Sequence, residues 1–136
     1  MEQFNLIVFI DDDATNVYHK IIAEQAAVSK NYKFFIYAAK ALTYLKKMLK
    51  SGKQPDLIFL DINMPGINGW EFIDLYAKLK LKKYPPIVVL TTSFRKLDVE
   101  RCEANPIIYA LKSKPLDVDF LFELNTNFKS KNKKKR

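Results

Sequence analysis

Apolar residues along this chain gather into five short continuous runs, separated by stretches in which apolar positions return every three or four residues. The runs are Leu6-Ile7-Val8-Phe9-Ile10, residues 32–37, Leu57-Ile58-Phe59-Leu60, Ile87-Val88-Val89-Leu90 and residues 107–111. Near-continuous runs of this length predict strands buried on both faces, because a strand with one wet face would alternate. Between the runs, Val17, Ile21, Ile22 and Val28 predict a helix over 15–28, and Ala41, Leu42, Leu45, Met48 and Leu49 predict a second that stops at Ser51-Gly52. Gly66 and Gly69 break the chain before a third helix that buries Phe72, Ile73, Tyr76 and Leu79; Pro85-Pro86 then lead into the fourth strand. A weakly patterned helix over 95–104 and a stronger one over 117–128, with Val118, Leu121, Phe122 and Leu124, complete the alternation. Strand and helix taking turns without an internal repeat or linker predict an α/β fold: a doubly wound five-stranded parallel sheet with helices on both faces.

In such a sheet, ligands gather at the carboxyl ends of the strands. Asp11 and Asp12 follow the first run, Asp61 the third, Thr91 and Thr92 the fourth, and Lys114, just before Pro115, the fifth. Carboxylates at the ends of buried strands need a counter-charge. Magnesium is a hard cation that takes oxygen ligands and keeps several waters, so two or three carboxylates plus a carbonyl make a suitable partial shell. A plain carboxylate can accept a phosphoryl group when metal and ammonium groups neutralise the phosphoryl oxygens. Asp13 is expected only to cap the following helix. His19, the single histidine, has no ligand-type neighbour and is given no metal or phosphoryl role.

The composition sets bounds. With 136 residues and 49% apolar composition, the chain suits one domain, read as residues 1–128 with a basic, disordered tail over 129–136. That tail holds six of the 23 basic residues, which leaves 17 basic against 15 acidic side chains and a body charge of +2. No helix-turn-helix, zinc or aromatic-basic pattern supports specific nucleic-acid recognition. The lone Cys102 excludes an internal disulfide and reads as a small apolar filler. No run approaches membrane-spanning length and no signal-peptide layout opens the chain, so a soluble cytoplasmic protein without membrane contact is expected.

The order Val8-Phe9-Ile10-Asp11-Asp12-Asp13, then Leu60-Asp61-Ile62-Asn63-Met64-Pro65-Gly66-Ile67-Asn68-Gly69, then Val89-Leu90-Thr91-Thr92-Ser93, then Lys114-Pro115 resembles a response-regulator receiver domain over nearly all of residues 4–128. The resemblance implies the flavodoxin-like, CheY-like strand order 2-1-3-4-5. It makes Asp61 the phosphoacceptor and Asp11, Asp12 and Asp61 the magnesium ligands, together with the backbone carbonyl of Asn63. Thr91 and Lys114 would hold phosphoryl oxygens, with the bond before Pro115 in cis. It further implies a phosphorelay signalling module rather than an enzyme, in stand-alone form. Its partners would be a sensor histidine kinase or histidine phosphotransfer protein, and a downstream protein docking on the face of the fourth helix, fifth strand and fifth helix.

Two departures stand out. Where the family commonly places an aromatic switch residue, three positions before the lysine, this chain has Leu111; Tyr109 is placed on the same strand face by two-residue alternation. Thr92 is bulkier than the small residue common after the threonine. Among alternatives, a haloacid-dehalogenase-type phosphatase would need an acid where Asn63 stands. A flavin-phosphate module would need a Gly, Ser or Thr cradle where Asp11 and Asp12 stand. A degenerate receiver, binding partners without phosphorylation, is disfavoured by the intact set of Asp11, Asp12, Asp61, Thr91 and Lys114.

Overall fold

The computed structural model describes residues 3–134, with side chains described as far as Phe128. The elements are β1 (Phe4–Ile10), α1 (Asp13–Ala26), β2 (Ser29–Phe35), α2 (Ala38–Lys50), β3 (Leu57–Asp61), α3 (Gly69–Ala77), β4 (Ile87–Thr91), α4 (Lys96–Ala104), β5 (Ile108–Ser113) and α5 (Val118–Lys134). All pairings are parallel and the sheet order is β2-β1-β3-β4-β5. The continuous apolar runs feed two cores, one on each side of the sheet. Val8, Ile10, Ile58, Leu60, Ile87 and Val89 face Leu42 and Leu45 of α2, Phe72 and Ile73 of α3 and Cys102 of α4. Ile7, Phe9, Leu57, Phe59, Val88 and Leu90 face Ile22 and Ala23 of α1 and Leu121 and Leu124 of α5. Because β1 lies between β2 and β3, the chain reverses direction across the sheet there, which opens a crevice at the carboxyl ends of β1 and β3.

Several boundaries and faces differ from expectation, each for a physical reason. The first helix runs 13–26 rather than 15–28: Ala27 adopts a left-handed conformation with φ of 51°, which ends the helix and sends Val28 into the core as part of the next turn. Its buried face carries Asn16, His19, Ile22, Ala23 and Ala26, whereas Val17 and Ile21 are more than half exposed. Two polar residues, held by hydrogen bonds at the top of the helix, displace those apolar ones from the core. The second strand starts three residues earlier and ends two earlier than expected. As an edge strand it tolerates Lys30 and Lys33 pointing to water. The last helix does not end at Phe128, because its backbone continues helical to Lys134, and basic residues are favoured near a helix C-terminus. The expected disordered character of residues 129–136 concerns side chains, and at residues 135–136 a backbone, that lie outside the described residues.

The fifth strand brings a correction of face. Ile87 pairs with Ile108 but Val88 pairs with Ala110, so Tyr109 is an extra residue bulged out of the ladder. Ile108 and Leu111 therefore both pack toward the core on the α4 side. Tyr109 instead meets the Phe128 ring of α5 at 4.7 Å. Tyr109 and Leu111 do not share a face.

Candidate functional site

Asp11 begins where β1 ends, and its N–H still donates to the Phe35 carbonyl at 3.0 Å, as if it were one more strand residue. Its side chain is fully buried. Oδ1 accepts from the Asp12 N–H at 2.7 Å and from Lys114 Nζ at 2.9 Å. Oδ2 is buried with no hydrogen-bond partner. Burial pushes the Asp11 carboxyl up to about 7, outweighing the Lys114 hydrogen bond that pulls it down; the Asp61 carboxylate adds to the rise.

Asp12, not Asp13, caps α1. Its Oδ1 accepts from the Thr15 N–H at 2.7 Å and its Oδ2 from the Thr15 hydroxyl at 2.8 Å, bonds that hold its carboxyl below the usual range. Asp13 is the first helical residue, where its charge complements the helix dipole. Asn16, one turn further, ties the region together: its Nδ2 donates to the carbonyls of Asp11 at 3.1 Å and Phe35 at 3.0 Å. Nothing in the sequence patterning singled out Asn16, although a buried asparagine in the first turns of a helix is itself a signal. His19 sits below it, buried, with Nδ1 3.1 Å from Asn16 Oδ1 and its ring against Phe9, and burial lowers its pKa to about 4.

Asp61 is the last residue of β3, buried, with Oδ1 accepting from the Asn63 N–H at 3.2 Å and Oδ2 3.6 Å from Lys114 Nζ. What fixes this strand end is close approach of the next helix. A side chain on Gly69 would put its Cβ 2.6 Å from the Ile62 Cα and 2.8 Å from the Asp61 carbonyl oxygen. Asn68 and Glu71 form a reciprocal capping box that starts α3 at that point. Lys114 thus bridges two carboxylates from different strands, and its own N–H donates to the Thr91 carbonyl at 2.8 Å. The Lys114-Pro115 bond is cis. Thr91, buried at the end of β4, points its hydroxyl along its own loop: it donates to the Ser93 carbonyl at 2.7 Å and accepts from the Ser93 N–H at 3.2 Å.

Five of the expected side chains, on four strand ends, therefore border one crevice. Asp11, Asp12 and Asp61 each offer an oxygen within 4.8 Å of the others. The residues fit a small divalent cation. An orphaned, fully buried carboxylate oxygen on Asp11 and an all-oxygen donor set partly open to solvent at Asp12 are what a hard, partly hydrated ion requires.

Comparison with known proteins agrees with this geometry. The model of the response regulator receiver domain matches residues 7–124, and the chain belongs to that family. It is a receiver domain of the two-component response-regulator type. A two-component response regulator from Cytophaga hutchinsonii superposes with a TM-score of 0.82 at 29% identity, covering 93% of this chain and 97% of the other. A receiver domain from a Pseudomonas aeruginosa sensor histidine kinase, with a magnesium ion coordinated in its active-site cleft, has the same fold (TM-score 0.73, 15% identity, 93% and 97% covered). The sensory transduction protein LytT of Bacillus subtilis is 30% identical over 81 residues, 60% of this chain and 32% of that protein. The chain thus spans about a third of the length of that curated relative. Receiver domains are signalling modules that bind magnesium at an acidic pocket and interact with histidine kinases or phosphotransfer proteins. Among the described residues, no helix is long and apolar enough to cross a membrane.

Proposed function

We propose that Asp61 accepts a phosphoryl group from a phosphohistidine of a sensor histidine kinase or phosphotransfer protein, and that the protein signals by docking rather than by turning over a substrate. The observation that carries this is the Lys114 ammonium, 2.9 Å from one buried carboxylate and 3.6 Å from the other, above a crevice open to water at Asp12. An Asp61 carboxylate oxygen attacks phosphorus in line. A P–O bond forms as the P–N bond breaks, and the imidazole leaves. Lys114, a flexible point charge, follows the phosphoryl oxygens. Asp11, Asp12, Asp61 and the Asn63 carbonyl would hold magnesium, which when bound neutralises charge on the phosphoryl group.

Thr91 is the proposed switch. Its hydroxyl is engaged with Ser93, so reaching a phosphoryl oxygen requires breaking that turn and drawing the loop after β4 inward. The face of α4, β5 and α5 would report the change, with exposed Leu97 and part-exposed Tyr109 offered to a downstream protein. With Leu111 packed into the core and Tyr109 bulged toward α5, the coupling runs through β5 backbone and α5 rather than a threonine-aromatic pair. We place the receiver at residues 1–128 and assign residues 129–136 no part in it; cytoplasmic location follows from the signalling role. Intact mass after incubation with acetyl phosphate and magnesium tests the reading. One acid-labile phosphate adduct, absent in Asp61→Asn, is expected; no adduct from any donor would leave a phosphorylation-independent binding module.

A further inference from the structure

The modest charge of the body conceals a local concentration of positive charge. Helices run antiparallel to the strands in this fold, so α2, α3 and α5 end at the amino edge of the sheet, opposite the site. Lys46, Lys47, Lys50 and Lys53 lie on the last turns of α2 and the loop after it, and Lys78, Lys80, Lys82 and Lys83 lie at the end of α3 and on the loop into β4; all eight are exposed. The two groups are neighbours. α2 packs on α3, and Gln54 Nε2, next to Lys53, donates to the Lys83 carbonyl at 3.1 Å. No acid occurs over residues 38–55 or 75–97. Asp56 is turned inward, its Oδ2 accepting from the Asn5 and Leu6 N–H groups at 2.6 and 3.2 Å. Among the described residues none of the eight lysines forms an ion pair.

The α5 helix runs toward the same edge. Phe128 packs edge-to-face on Phe4, the first residue of β1, with ring centroids 6.1 Å apart. The helical backbone then continues to Lys134. Lys80 occupies a left-handed position with φ of 52°, where glycine or asparagine would fit with less strain. The eight patch residues are all lysines, hydrated point charges on flexible stems that can each meet a phosphate oxygen without fixing an orientation or a base register. None of the large apolar side chains exposed on the protein lies within residues 46–53 or 78–84, so nothing there would insert into a bilayer.

From this we infer that the amino edge of the sheet is a sequence-blind docking surface for the phosphate backbone of double-stranded nucleic acid. It rests on the fold and charge alone, not on phosphorylation of Asp61. Binding of this kind releases counterions, falls steeply with salt and reaches only about 10⁻⁴ to 10⁻⁶ M at physiological salt. It is compatible with the absence of base-reading motifs.

Fluorescence anisotropy with a labelled mixed-sequence DNA duplex, titrated with the full chain from about 50 to 200 mM salt, tests it. Affinity should fall linearly on logarithmic axes. The exposed quadruple substitution Lys50→Gln, Lys53→Gln, Lys80→Gln and Lys83→Gln should weaken low-salt binding at least tenfold and flatten the slope by about 2 to 4. Its Tm and Asp61 phosphorylation should stay unchanged, which separates this surface from the site. A control pair at the opposite edge, Lys40→Gln with Lys96→Gln, should bind like the parent. The inference is overturned by no binding at the lowest salt, by an unaffected quadruple variant, or by equal loss in the control pair. Tighter, patch-dependent binding to phosphatidylserine vesicles under the same conditions would also overturn it, in favour of a membrane.

Discussion

Asp11 shows how one buried oxygen can carry both a site and its cost. Its carboxyl ionises near 3.8 in the unfolded chain and is pushed to about 7 by folding, so its contribution to stability is complete below about pH 3.8 and is lost as pH rises toward 7. His19 has the opposite sign. Lowered from 6.5 to about 4, it contributes fully above 6.5 and loses that contribution as pH falls toward 4. Between about pH 4 and 6.5 the two slopes oppose each other in the metal-free protein. Urea midpoints in EDTA should therefore vary little over that window in the parent and climb with pH in Asp11→Asn; identical curves would remove Asp11 as a buried, unneutralised carboxyl. Magnesium should raise the midpoint of the parent and leave Asp11→Asn unmoved. A second residue-scale expectation concerns Trp70, which lines a pocket beside the acid crevice together with Asn63 and lies 5.2 Å beneath the Arg101 guanidinium. Its fluorescence should change on magnesium titration and stop responding in Asp12→Ala.

At the scale of elements, the strand ends were legible because buried, two-sided strands leave a continuous apolar run, and the acids and lysine stand where those runs stop. The faces of α1 and β5 were not. Apolar spacing placed Val17 and Ile21 inward, but Asn16 and His19 hold that position through hydrogen bonds to loop carbonyls and to each other, which no hydropathy pattern contains. A bulge likewise shifts the two-residue alternation of β5 by one, and it is visible only in the pairing with β4. Gly69 illustrates a third kind of information. Its glycine read only as a breaker, yet the structure requires it for the contact with Asp61 and Ile62. Gly69→Ala should destabilise by about 1–3 kcal/mol, because backbone rather than a flexible side chain must yield. Chemical denaturation measures that, and the phosphorylation rate should fall with it as the Asp61 strand end shifts. By contrast, Lys114→Ala and Thr91→Ala should leave Asp61 able to accept phosphate while weakening phosphate-dependent partner binding; normal binding in both would remove their assigned roles.

For the whole molecule, the order of the sheet followed from the family motifs, whereas the distribution of charge did not follow from a net count. Seventeen basic and fifteen acidic residues in the body look balanced only until the fold brings eight of the lysines together at the ends of α2 and α3 and on the loops that follow. Deleting residues 129–136 should leave fold, magnesium binding and Asp61 phosphorylation intact, because Phe128, packed on Phe4 and Tyr109, is the last aromatic anchor of α5. Circular dichroism and the acetyl phosphate assay decide this; an unfolded truncation would make the run part of the domain.

Four of the five helices begin with acids, Asp13, Glu71, Asp98 and Asp119, and the fifth, α2, ends with lysines, Lys47 and Lys50. Each choice follows local rules of helix termini. Repeated around a sheet whose helices all point the same way, they add up to a permanent electric moment along the strands. Such a molecule feels a torque before it touches anything: near a polyanion it turns its lysine end inward and its carboxylate end to open water. A phosphoryl group on Asp61 turns a carboxylate into an acyl phosphate and so adds about one further negative charge at the far pole, which would lengthen that moment and sharpen the alignment.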